Sequence, residues 1–215
     1  MKAISDRMAR LIVKRSGRED VYAEVVSYGL QAVLGTLAEF AAVVLAGYLL
    51  GMLKEMVLMS VVFAAMRMVA GGVHLSTYPR CFISSVAMLT LGGCLSRAIS
   101  KAAFPAGAVF LISASIFITY SLYKYSPRDN PNRLIKEEEL PGFRRLSFIL
   151  WMGAAAFAAL SFLVEGGLRW YHFSMITGLA IESFTLTDAG YRLFTILDRF
   201  ISKGGGVRDE KSQNL

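Results

Sequence analysis

Apolar residues run through this chain in long stretches, and polar residues gather between them. Six stretches, residues 28–50, 52–70, 82–99, 104–124, 146–165 and 170–190, have roughly the 17 to 25 residues that a helix needs to cross a hydrocarbon core of about 30 Å. The pattern predicts an all-α, polytopic integral membrane protein with about six transmembrane or re-entrant helices. The second stretch is the weakest. Only Met56 to Met66 is free of charge between Glu55 and Arg67, which predicts a short or re-entrant helix there. Ahead of the first stretch, Ile4, Met8, Leu11 and Ile12 recur at helical spacing while Arg7, Arg10 and Lys14 fall elsewhere on the wheel. That is the pattern of an amphipathic helix lying in the membrane interface, within an N-terminal region of residues 1–27. Residues 1–203 read as one membrane-embedded domain. Residues 204–215, glycine-rich and then polar, read as a flexible tail.

Composition agrees with this reading: 55% of residues are hydrophobic and 18% charged, too apolar for a soluble domain of this size. The first twenty residues have no unbroken apolar core and no small-residue cleavage site, so a cleaved signal peptide is not expected. Lysine and arginine set the orientation. With both termini in the cytoplasm, nineteen of the 23 basic residues fall on that side, six of them from Lys124 to Arg145, around the cytoplasmic loop 125–145, and only Lys54, Arg97, Lys101 and Arg169 fall outside. The formal charge of +7 then points to anionic inner-leaflet lipids rather than nucleic acid, for which no aromatic and basic platform is visible. No metal-ligand cluster and no cofactor motif is evident. Small residues in GAAAFAALS and LGGCLS would permit a homodimer through close helix contacts.

Reactive residue types concentrate in one place, "RMVAGGVHLSTYPRC", residues 67–81. On one continuous helix, His74 and Cys81 would be separated by about 10.5 Å at 1.5 Å per residue. Gly71 and Gly72 permit non-helical backbone, and Pro79 suits the first turn of a helix, so a loop can fold His74 back toward Cys81. Thr77 or Tyr78 would then cap the next helix, with Cys81 in its first turn. The positive end of the helix, Arg80 or a protonated His74 would favour a thiolate there. A cysteine beside an imidazole is a nucleophile beside its base, the minimum equipment for acyl transfer, and first-turn amides are candidate oxyanion donors. The plainer alternative is an inert cysteine and a satisfied histidine. Cys94 reads as core packing. His172 reads as an interfacial residue near the aromatic Trp170 and Tyr171.

The pattern of Arg67, Gly71, Gly72, His74 and Cys81, followed by "YSPRDNPNR" from Tyr125 to Arg133, resembles the accessory gene regulator B (AgrB) family. These are bacterial membrane cysteine peptidases that process quorum-sensing peptide precursors. The resemblance covers most of the chain and implies His74 and Cys81 as the catalytic pair. It also implies a small amphipathic precursor (AgrD-like) as partner, cleaved through an acyl-enzyme thioester that closes to a thiolactone or lactone.

Supporting roles stay open at this level. Arg67 either serves the site or snorkels at a helix end, and Asp129 or Asn130 either orients His74 or simply belongs to a turn. Gly71 and Gly72 serve backbone geometry. The rival class is a small transporter or channel, favoured by the intramembrane acids Glu39, Glu182 and Asp188. Against it stand the absence of an inverted repeat and the clustering of reactive types at one membrane edge.

Overall fold

The computed structural model of the chain describes residues 2–16, 21–128 and 136–204. Asp129, Asn130 and the tail from residue 205 onward therefore lie outside the described residues. Eight helices and no strand occur among those described: α1 (Lys2–Ser16), α2 (Val21–Leu49), α3 (Leu53–Ala70), α4 (Tyr78–Ser100), α5 (Phe104–Tyr125), α6 (Leu140–Glu165), α7 (Trp170–Leu186) and α8 (Asp188–Gly204). Prolines 79, 105 and 141 each stand second in a helix, where a missing amide costs no hydrogen bond. Gly71 ends α3, and Gly166 ends α6 in the left-handed conformation.

Four helices, α2, α4, α5 and α6, are long and apolar enough to cross a membrane. Their outward faces carry exposed Leu37, Leu45, Leu91, Val109, Ile116, Leu160 and Val164, which suits a lipid surround. The other two expected segments form shorter helices, about 27 Å for α3 and about 25 Å for α7. Both are largely enclosed by the rest, and α7 is the central element, packed against α3, α4 and α5. A side chain leaving lipid gains little from the hydrophobic effect, so the centre depends on close packing. At Gly178 of α7, an added Cβ would stand 2.7 Å from the Met59 carbonyl, which explains how α3 and α7 approach so nearly. Polar groups satisfy one another across the same helix: Ser174 meets Ser96 at 3.1 Å.

Alternation of the helices gathers the start of α2, residues 71–77, the end of α5, the start of α6 and the α7–α8 junction at one end. Residues 50–52, 101–103 and 166–169 lie at the other. Lys54, Arg97, Lys101 and Arg169 all belong to that second end; Arg97 donates there to the Gly51 carbonyl, and Lys54 sits over the Trp170 ring.

The amphipathic helix folds back on α2. Ser5, Ala9 and Val13 are buried, and Ser27 donates to Asp6 at 2.5 Å. Ile4, Met8, Leu11 and Ile12 stay exposed, the face the periodicity assigned to the interface.

Three expectations require correction. The last apolar segment is not continuous to 190. It breaks at Thr187, whose hydroxyl accepts from the Gly190 amide and so caps a second amphipathic helix, α8. His172 does not face outward but is enclosed by protein at that end of α7: it is 1% exposed, with the Arg169 amide donating to its Nδ1. Cys94 is exposed rather than in the core, because Gly92, Gly93 and Ser96 form the inner face of α4 at that level. The glycines of LGGCLS thus serve contacts within the chain, to Ile181 and Met56.

Candidate active site

The break between α3 and α4 is built by the two glycines. Gly71 has φ +81° and Gly72 φ +124°, both unfavourable for any residue with a Cβ. A Cβ at Gly71 would collide with the Arg128 carbonyl, because residue 128 runs beside the loop and its amide donates to the Ala70 carbonyl at 2.9 Å. A Cβ at Gly72 would stand 2.5 Å from Thr185 Oγ1 and 3.1 Å from both Glu182 Oε1 and Arg67 Nη1. The chain therefore turns directly over the buried C-terminal half of α7.

Two anchors hold the rest of the loop. Arg67 Nη2 donates to the Val73 carbonyl at 2.5 Å. On the far side Val73 and Leu75 pack on Phe194 of α8, with Cys81 and Tyr191 at the edge of the cluster. Asp198 of α8 accepts from Ser76 at 3.1 Å and from Arg80 at 3.2 Å.

Thr77 is the extended residue that begins α4, and the Cys81 amide donates to its carbonyl at 3.1 Å, which places Cys81 in the first turn. His74 folds back as the glycines allow. Its Nδ1 lies 3.9 Å from Cys81 Sγ, within reach of a sulfur hydrogen bond. Both residues line a cavity of about 470 Å³ whose opposite wall is one face of α2: Tyr28, Gln31, Gly35 and Glu39. Tyr78 spans it by donating to the Gly35 carbonyl at 2.9 Å.

The electrostatics favour an uncharged base. Desolvation at the cavity wall, then the nearby Arg67 guanidinium, lower the His74 pKa from 6.5 to about 4 although the residue keeps an exposed face, so the imidazole is neutral at pH 7. Arg67 Nη2 lies 3.4 Å from each ring nitrogen. Its charge is balanced from behind by Glu182 of α7, whose Oε2 is 3.2 Å from Nη1 and whose side chain is fully buried. Arg80, named in the sequence as a possible thiolate partner, is engaged by Asp198.

Of the residues singled out in the sequence, the structure gathers Arg67, Gly71, Gly72, His74 and Cys81 within one loop and its flanking helix ends. Glu39 joins them across the cavity. Asp188 does not: it pairs with Arg128 at the start of α8. A first-turn oxyanion site is narrower than the sequence suggested, since Pro79 has no N–H and the Cys81 amide is occupied; the Tyr78 and Arg80 amides belong to the unpaired helix end. Sequence reasoning missed the α8 clamp and the α2 wall. Thr187-Asp188 ahead of a 3.6-residue apolar period is a readable signal for the first; a lipid-like span such as α2 carries none for the second.

The chain matches the family model of accessory gene regulator B over residues 5–186. The chain belongs to the AgrB family. Its membership places it in agr-type quorum sensing. An AgrB-like protein of Halalkalibacterium halodurans is 26% identical over 208 residues, covering 95% of this chain and 96% of that one. AgrB-like proteins of two Clostridium perfringens strains, SM101 and 13, are each 23% identical over 210 residues, covering 92% of this chain and 98% of theirs. No solved structure matches. In this AgrB-family chain α8 lies beyond the matched residues, yet it clamps the loop that carries His74.

Proposed function

We propose that this AgrB-family protein is a membrane-embedded cysteine endopeptidase that removes the C-terminal tail of a small signal-peptide precursor and cyclises what remains. The observation that carries the reading is His74 Nδ1 at 3.9 Å from Cys81 Sγ on the wall of an open cavity. Neutral His74 takes the thiol proton as sulfur bonds to the scissile carbonyl carbon. His74 then protonates the leaving nitrogen, the C–N bond breaks and a thioester to Cys81 remains. An internal thiol or hydroxyl of the precursor attacks that carbonyl, its proton passes through His74 to the departing Cys81 sulfur, and a thiolactone or lactone is released. Hydrolysis competes, so the bound peptide must exclude water.

The division of basic residues between the two ends supports a cytoplasmic site and cytoplasmic termini, with the exposed apolar face of α1 on the inner leaflet and anionic lipids beside it. An AgrD-like amphipathic precursor would reach the cavity from that leaflet. The transporter alternative keeps only one of its three supports: Glu182 is paired to Arg67 and Asp188 lies on the surface with Arg128, while Glu39 lines the cavity that holds His74 and Cys81.

The test uses full-length protein in lipid vesicles with a candidate precursor. Cys81→Ala should insert and bind the precursor but release no tail, and wild type should carry a thioester adduct on the peptide containing Cys81 by mass spectrometry. Tail release by Cys81→Ala rejects the peptidase reading.

A further inference from the structure

A buried acid on α7 stands directly behind the candidate catalytic loop. Glu182 is 0% exposed, its Oε2 meets Arg67 Nη1 at 3.2 Å, and its Oε1 has no hydrogen-bond partner among the described residues. Removing two charges from solvent is costly, and apolar residues of equal volume are often as stable, so such a pair contributes little through stability alone. The same guanidinium carries two further contacts, to the Val73 carbonyl at 2.5 Å and to the His74 ring at 3.4 Å. Gly72 crosses between Arg67, Glu182 and Thr185 with no room for a Cβ, so loop, arginine and acid form one packed unit.

We propose that Glu182 is a positioning residue for the His74–Cys81 pair, acting through Arg67 by aiming the guanidinium at the loop and balancing its charge. This rests on the peptidase reading for its purpose, though not for its geometry. The chemical need is specific. When His74 takes the Cys81 proton it becomes a cation beside Arg67, and two cations in one cavity wall repel. A carboxylate on the far side of Arg67 cancels part of that repulsion without competing for the thiol proton. The other charged or titratable groups facing the pair are Tyr28 and Glu39 from α2, Tyr78 from α4 and Tyr191 from α8; Asp198 of α8 is spent on Arg80. None of these stands behind Arg67.

The two reactive groups respond oppositely to loss of the carboxylate. An uncompensated Arg67 disfavours imidazolium, which slows turnover, and favours thiolate, which speeds alkylation of Cys81. The experiment uses full-length protein in vesicles with Cys94→Ser, so that Cys81 is the one thiol left. Precursor cleavage and iodoacetamide labelling are measured for Glu182→Gln, Glu182→Asp, Arg67→Gln and the double variant Arg67→Gln/Glu182→Gln. For Glu182→Gln, kcat should fall about tenfold with KM within about twofold, while labelling at pH 7 rises several-fold. Glu182→Asp should retain most of both properties. The double variant should return labelling toward wild type and lose less kcat than the two single changes together. Unchanged kcat and labelling in Glu182→Gln, a loss confined to KM, or fully additive losses in the double variant overturns the proposal. Should wild type cleave no precursor, the peptidase reading fails separately, and the labelling rates alone decide whether Glu182 is coupled to Cys81.

Discussion

Replacing Gly71 by alanine tests whether the loop geometry, rather than the mere presence of His74 and Cys81, makes the site. At φ +81° an L-residue carries about 1 to 3 kcal/mol of backbone strain. The new methyl also meets the Arg128 carbonyl, a backbone atom that cannot swing aside. Relief requires residues 71 and 128 to separate, which loses the hydrogen bond from the Arg128 amide to the Ala70 carbonyl, worth about 1 kcal/mol. The total is about 2 to 4 kcal/mol, concentrated three residues from His74. Loss of about 1 Å of alignment between a base and its nucleophile costs on the order of 100-fold in rate. Gly71→Ala should therefore lower precursor cleavage by roughly two orders of magnitude while also lowering the thermal midpoint in detergent. Gly153→Ala is the matched control, since that α6 position has open space around it and alanine is the better helix former. The outcome that refutes the reasoning is Gly71→Ala cleaving and melting like Gly153→Ala.

Two other predictions follow from the site. Because the His74 pKa is lowered to about 4, the neutral base persists well below pH 6.5, and the acid limb of kcat/KM should lie near pH 4 to 5; an acid limb at 6.5 would contradict this. The sign for stability is the same: the unfolded histidine binds a proton first, so any contribution from His74 is complete above pH 6.5 and declines as pH falls toward 4. Asp198→Ala should free Arg80 and Ser76 together, speeding hydrogen exchange in residues 71–77 and lowering turnover several-fold with little change in melting temperature, since these groups are partly exposed. Unaltered exchange in that loop would show that α8 is not a clamp.

Membrane character and the exposed apolar stripe of α1 were legible from one dimension, because crossing lipid demands about 20 consecutive apolar residues and an amphipathic helix demands a 3.6-residue period; the number of spans was not, since four of the six apolar segments are long and apolar enough to cross. The loop that brings His74 back to Cys81 was also legible, since Gly71, Gly72 and Pro79 are local constraints on φ and on hydrogen bonding that act whatever surrounds them. Which apolar segment would sit at the centre was not. α7 and α5 look alike as strings, and only packing makes one a hub whose serines, threonines and Glu182 are enclosed. The partners of Arg67 and Arg80 come from positions 115 and 118 residues away, Glu182 and Asp198, and no spacing rule links them. The α2 wall of the cavity was hidden for the same reason: facing a site or facing lipid is a property of a helix's neighbours, and only the folded bundle supplies them.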